Sequence, residues 1–168
     1  MIFFDFKSTQ LSPYRALLFA AAVILLSGCG ASRKAKLREQ KTAAVIQTAR
    51  SYTGTPYKYG GTTRAGMDCS ALTSAAYRAI QVNLPRSADA QASVGAKVKQ
   101  EELKPGDLVF FATGKKRKQI THVGIVTEVR STENIKFIHA STSLGVVETN
   151  LFSDYYVKRY RGARRVVE

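Results

Sequence analysis

The apolar positions of this chain fall into three regimes. From Ala16 to Leu26 they form an uninterrupted run. From Leu37 to Tyr52 they return at helical spacing, with Leu37, Ala44, Val45, Ala49 and Tyr52 near one face and no Gly or Pro between them. This predicts a helix that Gly54 and Pro56 stop. A second helix is predicted from Cys69 or Ser70 to about Ile80, with Leu72, Ala76 and Ile80 on one side and Asp68 as its N-cap. Ser87 is placed to cap a short helix ending at Gly95. Beyond Pro105 and Gly106 the pattern changes to short runs rich in Val, Ile and Phe, which predict strands at 107–112, 122–129, 135–140, 146–149 and 161–166. Helices first and an antiparallel meander after is an α+β arrangement, with N-terminal helices packed on an antiparallel sheet.

The first apolar run has its own logic. Eleven residues are too few for a bilayer core that needs roughly 20 as helix, so Ala16 to Leu26, preceded by Lys7 and Arg15, fits an export signal better than a membrane span. A buried core helix is the other reading, but the run ends in Ser27, Gly28 and Cys29. Leu26-Ser27-Gly28-Cys29 resembles a bacterial lipobox, which implies a signal over 1–28, cleavage before Cys29 and lipid on its thiol and amine. Residues 29–36, small or basic, then form a lipidated tether, and 37–168 form one domain. Gly30 carries no retention aspartate, so the expected location is the periplasmic face of the outer membrane.

Charge narrows the partners. The formal net charge is +14, and the densest basic run is Lys115-Lys116-Arg117-Lys118. No aromatic interleaves that run, which argues against a single-strand nucleic-acid platform, and an exported lipoprotein meets anionic head groups and an acidic wall instead. The run reads as a solvated loop tip, with docking on an acidic polymer as the alternative. A monomer binding no nucleic acid is expected.

The chain has two cysteines and two histidines. With Cys29 lipidated, Cys69 has no intramolecular partner in an oxidising compartment; an uncut signal would leave a Cys29–Cys69 disulfide open, and a buried inert thiol is the blander reading. At a helix N-terminus beside an imidazole, a thiol is expected to have a lowered pKa, and backbone N–H groups there can meet an oxyanion. His122 and His139 lie on successive strands that fold back through Ser131 to Asn134, which places them roughly opposite each other. Val123, Ile125 and Val129 share one face, leaving His122 and Gly124 on the other, where the glycine leaves room for a helix terminus or substrate. Cys69, His122 and His139 are also a conceivable zinc set, but without local zinc-motif spacing, and no metal or other cofactor is expected.

Five segments together carry a wider resemblance: Pro56-Tyr57-Lys58-Tyr59-Gly60-Gly61, Asp68-Cys69-Ser70, Pro105-Gly106-Asp107-Leu108-Val109-Phe110-Phe111, Thr121-His122-Val123-Gly124-Ile125 and Phe137-Ile138-His139-Ala140-Ser141. In this order they resemble the NlpC family of cell-wall cysteine peptidases, over about Tyr52 to the C-terminus, and most closely its lipoprotein murein endopeptidase branch. The resemblance implies a papain-like α+β fold with Cys69 as nucleophile, His122 as base and acid, His139 orienting His122, and Tyr57 as an oxyanion donor. It further implies that Asp68, Arg86 and Ser87 line the substrate groove, Asp68 meeting a substrate amine, although Asp68 and Ser87 serve equally well as helix caps.

The implied activity is hydrolysis of an amide in murein stem peptides next to diaminopimelate, through a thioester. One departure stands out: Ala71 occupies a position where the family usually has Gly, and its methyl would press on the facing strand. The rival reading is a catalytically inactive envelope lipoprotein that binds peptidoglycan.

Overall fold

The computed structural model describes residues 13–167, with side chains described at Tyr14 and from Ser32 onward. It divides into two compact units, Met1–Leu37 and Arg38–Glu168. Helix α1 (Pro13–Arg50) begins in the first and ends in the second. The expected tether at 29–36 is therefore helical, in keeping with the Ala-, Lys- and Arg-rich stretch after Gly30, which has no further Gly or Pro before Gly54. The side chain of Cys29 lies outside those described. Among the described residues no helix is long and apolar enough to cross a membrane.

In the second unit, α1 is followed by the small hairpin β1 (Thr62–Thr63) and β2 (Gly66–Met67), then α2 (Cys69–Arg78), α3 (Ala88–Gln91), β3 (Ala96–Val98) and a 3-10 turn. The remaining elements are β4 (Leu108–Phe111), β5 (His122–Ser131), β6 (Asn134–Ser141), β7 (Gly145–Asn150), α4 (Asp154–Val157) and β8 (Tyr160–Arg165). Six strands form one antiparallel sheet in the order β3-β8-β4-β5-β6-β7. The five expected strands are all present within two residues of their predicted ends. The pattern missed β3, the β1–β2 hairpin and α4, which have two to four residues each and are too short for a periodicity to show. The helix expected to reach Gly95 stops at Gln91.

Alternation along the central strands divides the core in two. Leu108, Phe110, Val123, Ile125 and Ile138 pack with Leu72, Ala76 and Tyr77 of α2 and with Val45 and Ala49 of α1. Val109, Phe111, Val126, Ile135 and Phe137 form a second cluster with Leu151 on the other face. Val129, expected beside Val123 and Ile125, is 38% exposed because the β5–β6 register shifts between Val126 and Glu128. Ala71 is 5% exposed within the α2 cluster, so its methyl is packed there as part of the core. Asp107, buried at the start of β4, accepts two hydrogen bonds from Arg165 at 2.8 and 2.7 Å and one from the Lys104 N–H at 2.8 Å, which fastens the end of β8 to the sheet.

The β5–β6 register sets the histidines diagonally. Ile125 pairs with Ile138, which puts Gly124, two residues on from His122, beside His139. The room at Gly124 is taken by the neighbouring strand, correcting the expectation that a helix end or substrate enters there: a Cβ at this position would lie 2.5 Å from Phe137 Cδ2, 2.8 Å from the Ile138 carbonyl oxygen and 3.2 Å from His139 Cβ. Backbone cannot yield as a side-chain tip can, so Gly124→Ala is expected to lower stability by about 1–3 kcal/mol. Urea unfolding measures this; an unchanged or raised midpoint would show that β5 and β6 can separate at no cost.

Candidate active site

Asp68 determines where α2 starts. Its side chain accepts the Ala71 N–H at 2.8 Å and the Ser70 hydroxyl at 3.0 Å on Oδ1, and the Gly60 N–H at 3.0 Å on Oδ2. Arg86 adds a two-pronged contact, 2.9 Å to Oδ1 and 2.6 Å to Oδ2, and also donates to the Ser70 hydroxyl at 2.8 Å. Burial alone would push the Asp68 carboxyl up, but Arg86, the Ala71 N–H and Ser70 outweigh it and hold the pKa below its ordinary value. Five donors fill a carboxylate with about four lone-pair sites. In this arrangement Asp68 caps α2 and anchors Arg86, and with Arg86 it lines the hollow in which Cys69 lies. Ser87 caps α3 by accepting the Ala90 N–H at 3.2 Å and also lines that hollow.

Cys69, the first residue of α2, is 7% exposed and not in a disulfide. The backbone N–H of Val123, the residue after His122, and the N–H groups of Ser70 and Cys69 itself favour its charged form. These donors do not prevail. Burial, reinforced by the Asp68 carboxylate, pushes the thiol up to about 11. The expected lowered pKa is corrected: the helix start supplies N–H groups, but loss of water costs the anion more than they return.

The imidazoles form a relay. His122 Nε2 faces His139 Nδ1 at 3.0 Å, and His139 Nε2 faces the Thr149 hydroxyl at 3.1 Å and the Tyr156 hydroxyl at 3.3 Å. Phe137 pairs with Thr149 and His139 with Val147, so Thr149 is the diagonal neighbour of His139 across β6 and β7. One proton arrangement makes His122 a base: Nε2–H donates to His139, His139 Nε2–H donates to Thr149, and the His122 Nδ1 lone pair is left free to accept a proton. Phe137 stacks on His139 at 4.7 Å and Tyr156 meets it edge-on at 5.1 Å. Burial lowers the pKa of both rings, and His122 lowers that of His139 further, so both are neutral near pH 7.

Two hollows flank this constellation. One, of about 530 Å³, is lined by Cys69, Tyr57, Tyr59, Asp68, Arg86 and Ser87, among others. The other, of about 500 Å³, includes His122, His139, Leu144, Thr149, Tyr155 and Tyr156 in its wall. They meet along Thr121 and Thr113, whose hydroxyls lie 3.0 Å apart. The cysteine and the histidines thus open on opposite sides of a shared ridge. Tyr57 is half-buried in the Cys69 hollow, and burial, then Cys69 and Asp68, push its pKa up, so its hydroxyl keeps the proton it would donate. No group of three or more His, Cys, Asp or Glu side chains that could hold a metal occurs among the described residues. Thr149 and Tyr156 were missed from sequence: Thr149 reads as an ordinary strand residue, and Tyr156 sits in an unpredicted single turn.

Comparison with known proteins now becomes informative. Residues 54–165 match the NlpC/P60 family. The chain is 40% identical over 159 residues to the probable endopeptidase NlpC of Escherichia coli K12, covering 90% of this chain and 99% of that one. It is 32% identical over 191 residues to the E. coli protein named murein DD-endopeptidase MepS/murein LD-carboxypeptidase, covering 96% and 97%. The crystal structure of an NlpC/P60 family protein from Bacillus cereus matches with a TM-score of 0.68 at 30% identity; the match covers 76% of this chain and 40% of that longer one.

The electrostatics and the relay are separately testable. Because the thiol is pushed up to about 11, iodoacetamide should modify Cys69 at a rate that keeps climbing with pH to about that value. A plateau reached below pH 7 would instead reveal a resting thiolate. Thr149→Val should lower kcat by about 3- to 10-fold, the kinetic equivalent of one net hydrogen bond. Thr149→Ser should restore it, and Tm should barely move in either; equal kcat in all three proteins would remove Thr149 from the relay.

Proposed function

This chain belongs to the NlpC/P60 family, and we propose that it hydrolyses an amide bond next to diaminopimelate in the peptide part of murein, through a Cys69 thioester. It is a peptidase by that membership, and murein enters through the names of its relatives. The reading is carried by one observation: a buried thiol begins α2 with the Val123 N–H favouring its charged form, while His122, next to Val123 on β5, is held at Nε2 by His139 at 3.0 Å.

The proposed cycle uses each group once in each half. As the substrate carbonyl approaches, the Sγ proton passes to His122 Nδ1 and sulfur attacks the carbonyl carbon. The oxyanion is met by the Cys69 N–H and the Tyr57 hydroxyl. His122 Nδ1–H then protonates the leaving amine, the C–N bond breaks and a thioester remains. His122 deprotonates a water that attacks the thioester, and its proton returns to sulfur as the acid departs. His139 holds Nε2 of the base throughout and stabilises the transient imidazolium through its Nδ1 lone pair. The chemistry draws on no cofactor.

We further propose that the protein is exported and lipid-anchored through Cys29, at the periplasmic face of the outer membrane, acting as a monomer. The lipobox-like Leu26-Ser27-Gly28-Cys29 supports this. The inactive wall-binding alternative rested on Ala71, whose N–H caps on Asp68 at 2.8 Å and whose side chain is packed, so nothing at that position favours it. Digestion of purified murein by the full chain, with product masses compared against Cys69→Ala, tests the enzymatic reading. New stem-peptide fragments are expected from the first protein and none from the second. Identical products from both, or none from either, would refute it.

A further inference from the structure

The direction of proton delivery decides where the two halves of the substrate lie. His122 protonates the leaving amine, so the leaving fragment occupies the imidazole side, over the hollow walled by Thr113, Leu144, Thr149, Tyr155 and Tyr156. Past Thr113 the wall continues into another hollow, of about 450 Å³, whose lining includes Lys115, Arg117, Lys158, Arg159 and Arg161 and no acidic residue. Thr113 belongs to both hollows. The partition between them is a stacked pair: the Arg159 guanidinium lies 3.8 Å over the Tyr155 ring and donates to the Tyr155 carbonyl at 2.9 Å.

This basic hollow is held in shape by the fold. Arg161 donates to the carbonyls of Arg117 and Tyr160, each at 2.6 Å, which ties the loop between β4 and β5 to the start of β8. Thr121 accepts the N–H groups of Thr113 and Gly114 at 2.9 and 3.1 Å, closing the base of the same loop. The ion pairs found among the described residues engage Arg50, Arg86, Arg130, Lys136 and Arg165, and none of the five cations of the hollow. Five like charges in one concavity repel each other and focus a positive field at its mouth, an arrangement that an anionic ligand relieves.

Resting on the peptidase reading above, we infer that this hollow takes the carboxylates of the leaving fragment. The site therefore selects amides whose amine half is an acidic peptide, as the second stem of a cross-link is, over amides with a neutral amine half. Leu144, 70% exposed at the β6–β7 turn, offers the aliphatic part of that fragment an apolar contact on the way.

The test uses the full chain and two muropeptide substrates differing only in whether the carboxylates on the leaving side are free or amidated. One to two partly exposed charge-assisted contacts correspond to a preference of about 10-fold in kcat/KM for the free acid. In Lys115→Ala/Arg117→Ala/Lys158→Ala the acid-to-amide ratio should fall to about 1, a quantity independent of how much of the sample is folded. Equal ratios in the two proteins would overturn the inference while leaving hydrolysis intact.

If neither substrate is cut, the peptidase reading fails on its own, and binding decides the rest. The Kd of the released tetrapeptide for the Cys69→Ala chain should be about 10-fold weaker when its carboxylates are amidated, with the preference lost on adding the triple change. Equal Kd values refute the inference. A triple variant that keeps its peptide preference but loses its preference for phosphatidylglycerol over phosphatidylcholine vesicles assigns the patch to the membrane surface, and also refutes it.

Discussion

The imidazoles of His122 and His139 meet diagonally across β5 and β6, past Gly124, which has no side chain to come between them. A Cβ there would fall within 3 Å of Phe137 and the Ile138 carbonyl, and it is this closeness that lets His139 sit under the strand end carrying His122. The 3.0 Å Nε2 to Nδ1 contact follows from this tight β5–β6 pairing, and the diagonal reach of His139 to Thr149 from the β6–β7 register. On the opposite face Val123 and Ile125 hold α2 against the sheet, so one strand positions the base with its even residues and the nucleophile's helix with its odd ones.

The nucleophile is set by a second, independent device. Asp68 accepts the first turn of α2 and is itself gripped by Arg86 and Gly60, so the loop before the helix, the helix start and the segment before α3 converge on one carboxylate. Arg86 remains half-exposed while Asp68 is buried, which screens the pair on one side only. Its value lies in orientation rather than in net stability, since an ion pair half in solvent contributes little.

Periodicity made the helices and the larger strands legible, because each of those elements hides one face: Leu72 and Ala76 on α2, alternate Val, Ile and Phe on the strands. The histidines were recognisable through their rarity and their place on a predicted hairpin. Other features rest on geometry that a linear pattern does not contain. Whether His122 and His139 face directly or diagonally depends on register, which a shift between Val126 and Glu128 alters. Thr149 matters through its diagonal neighbour on β6, and Tyr156 through the packing of α4 against His139. The sign of the Cys69 shift was misjudged because a helix N-terminus is visible in sequence while the depth at which it is buried is not. The basic run at 115–118 was visible too, but not its union with Lys158, Arg159 and Arg161, which come together only when β8 pairs with β4.

A buried thiol and a buried neutral imidazole make a particular kind of resting state. Neither is charged, so neither incurs the cost of an ion in a dry site, and the sulfur is in its least oxidisable form. Proton transfer then has to be driven by what arrives. In the proposed cycle, a substrate carbonyl placed between the Cys69 amide and Tyr57 offers a sink for the negative charge as it leaves sulfur, so charge is created only when a bond is about to form. Tyr57, kept protonated by its own burial, remains able to donate to that oxygen. Reactivity in such a site is gated by occupancy, and the residues that position substrate on either side of the Thr113–Thr121 ridge contribute to activating sulfur as well as to binding.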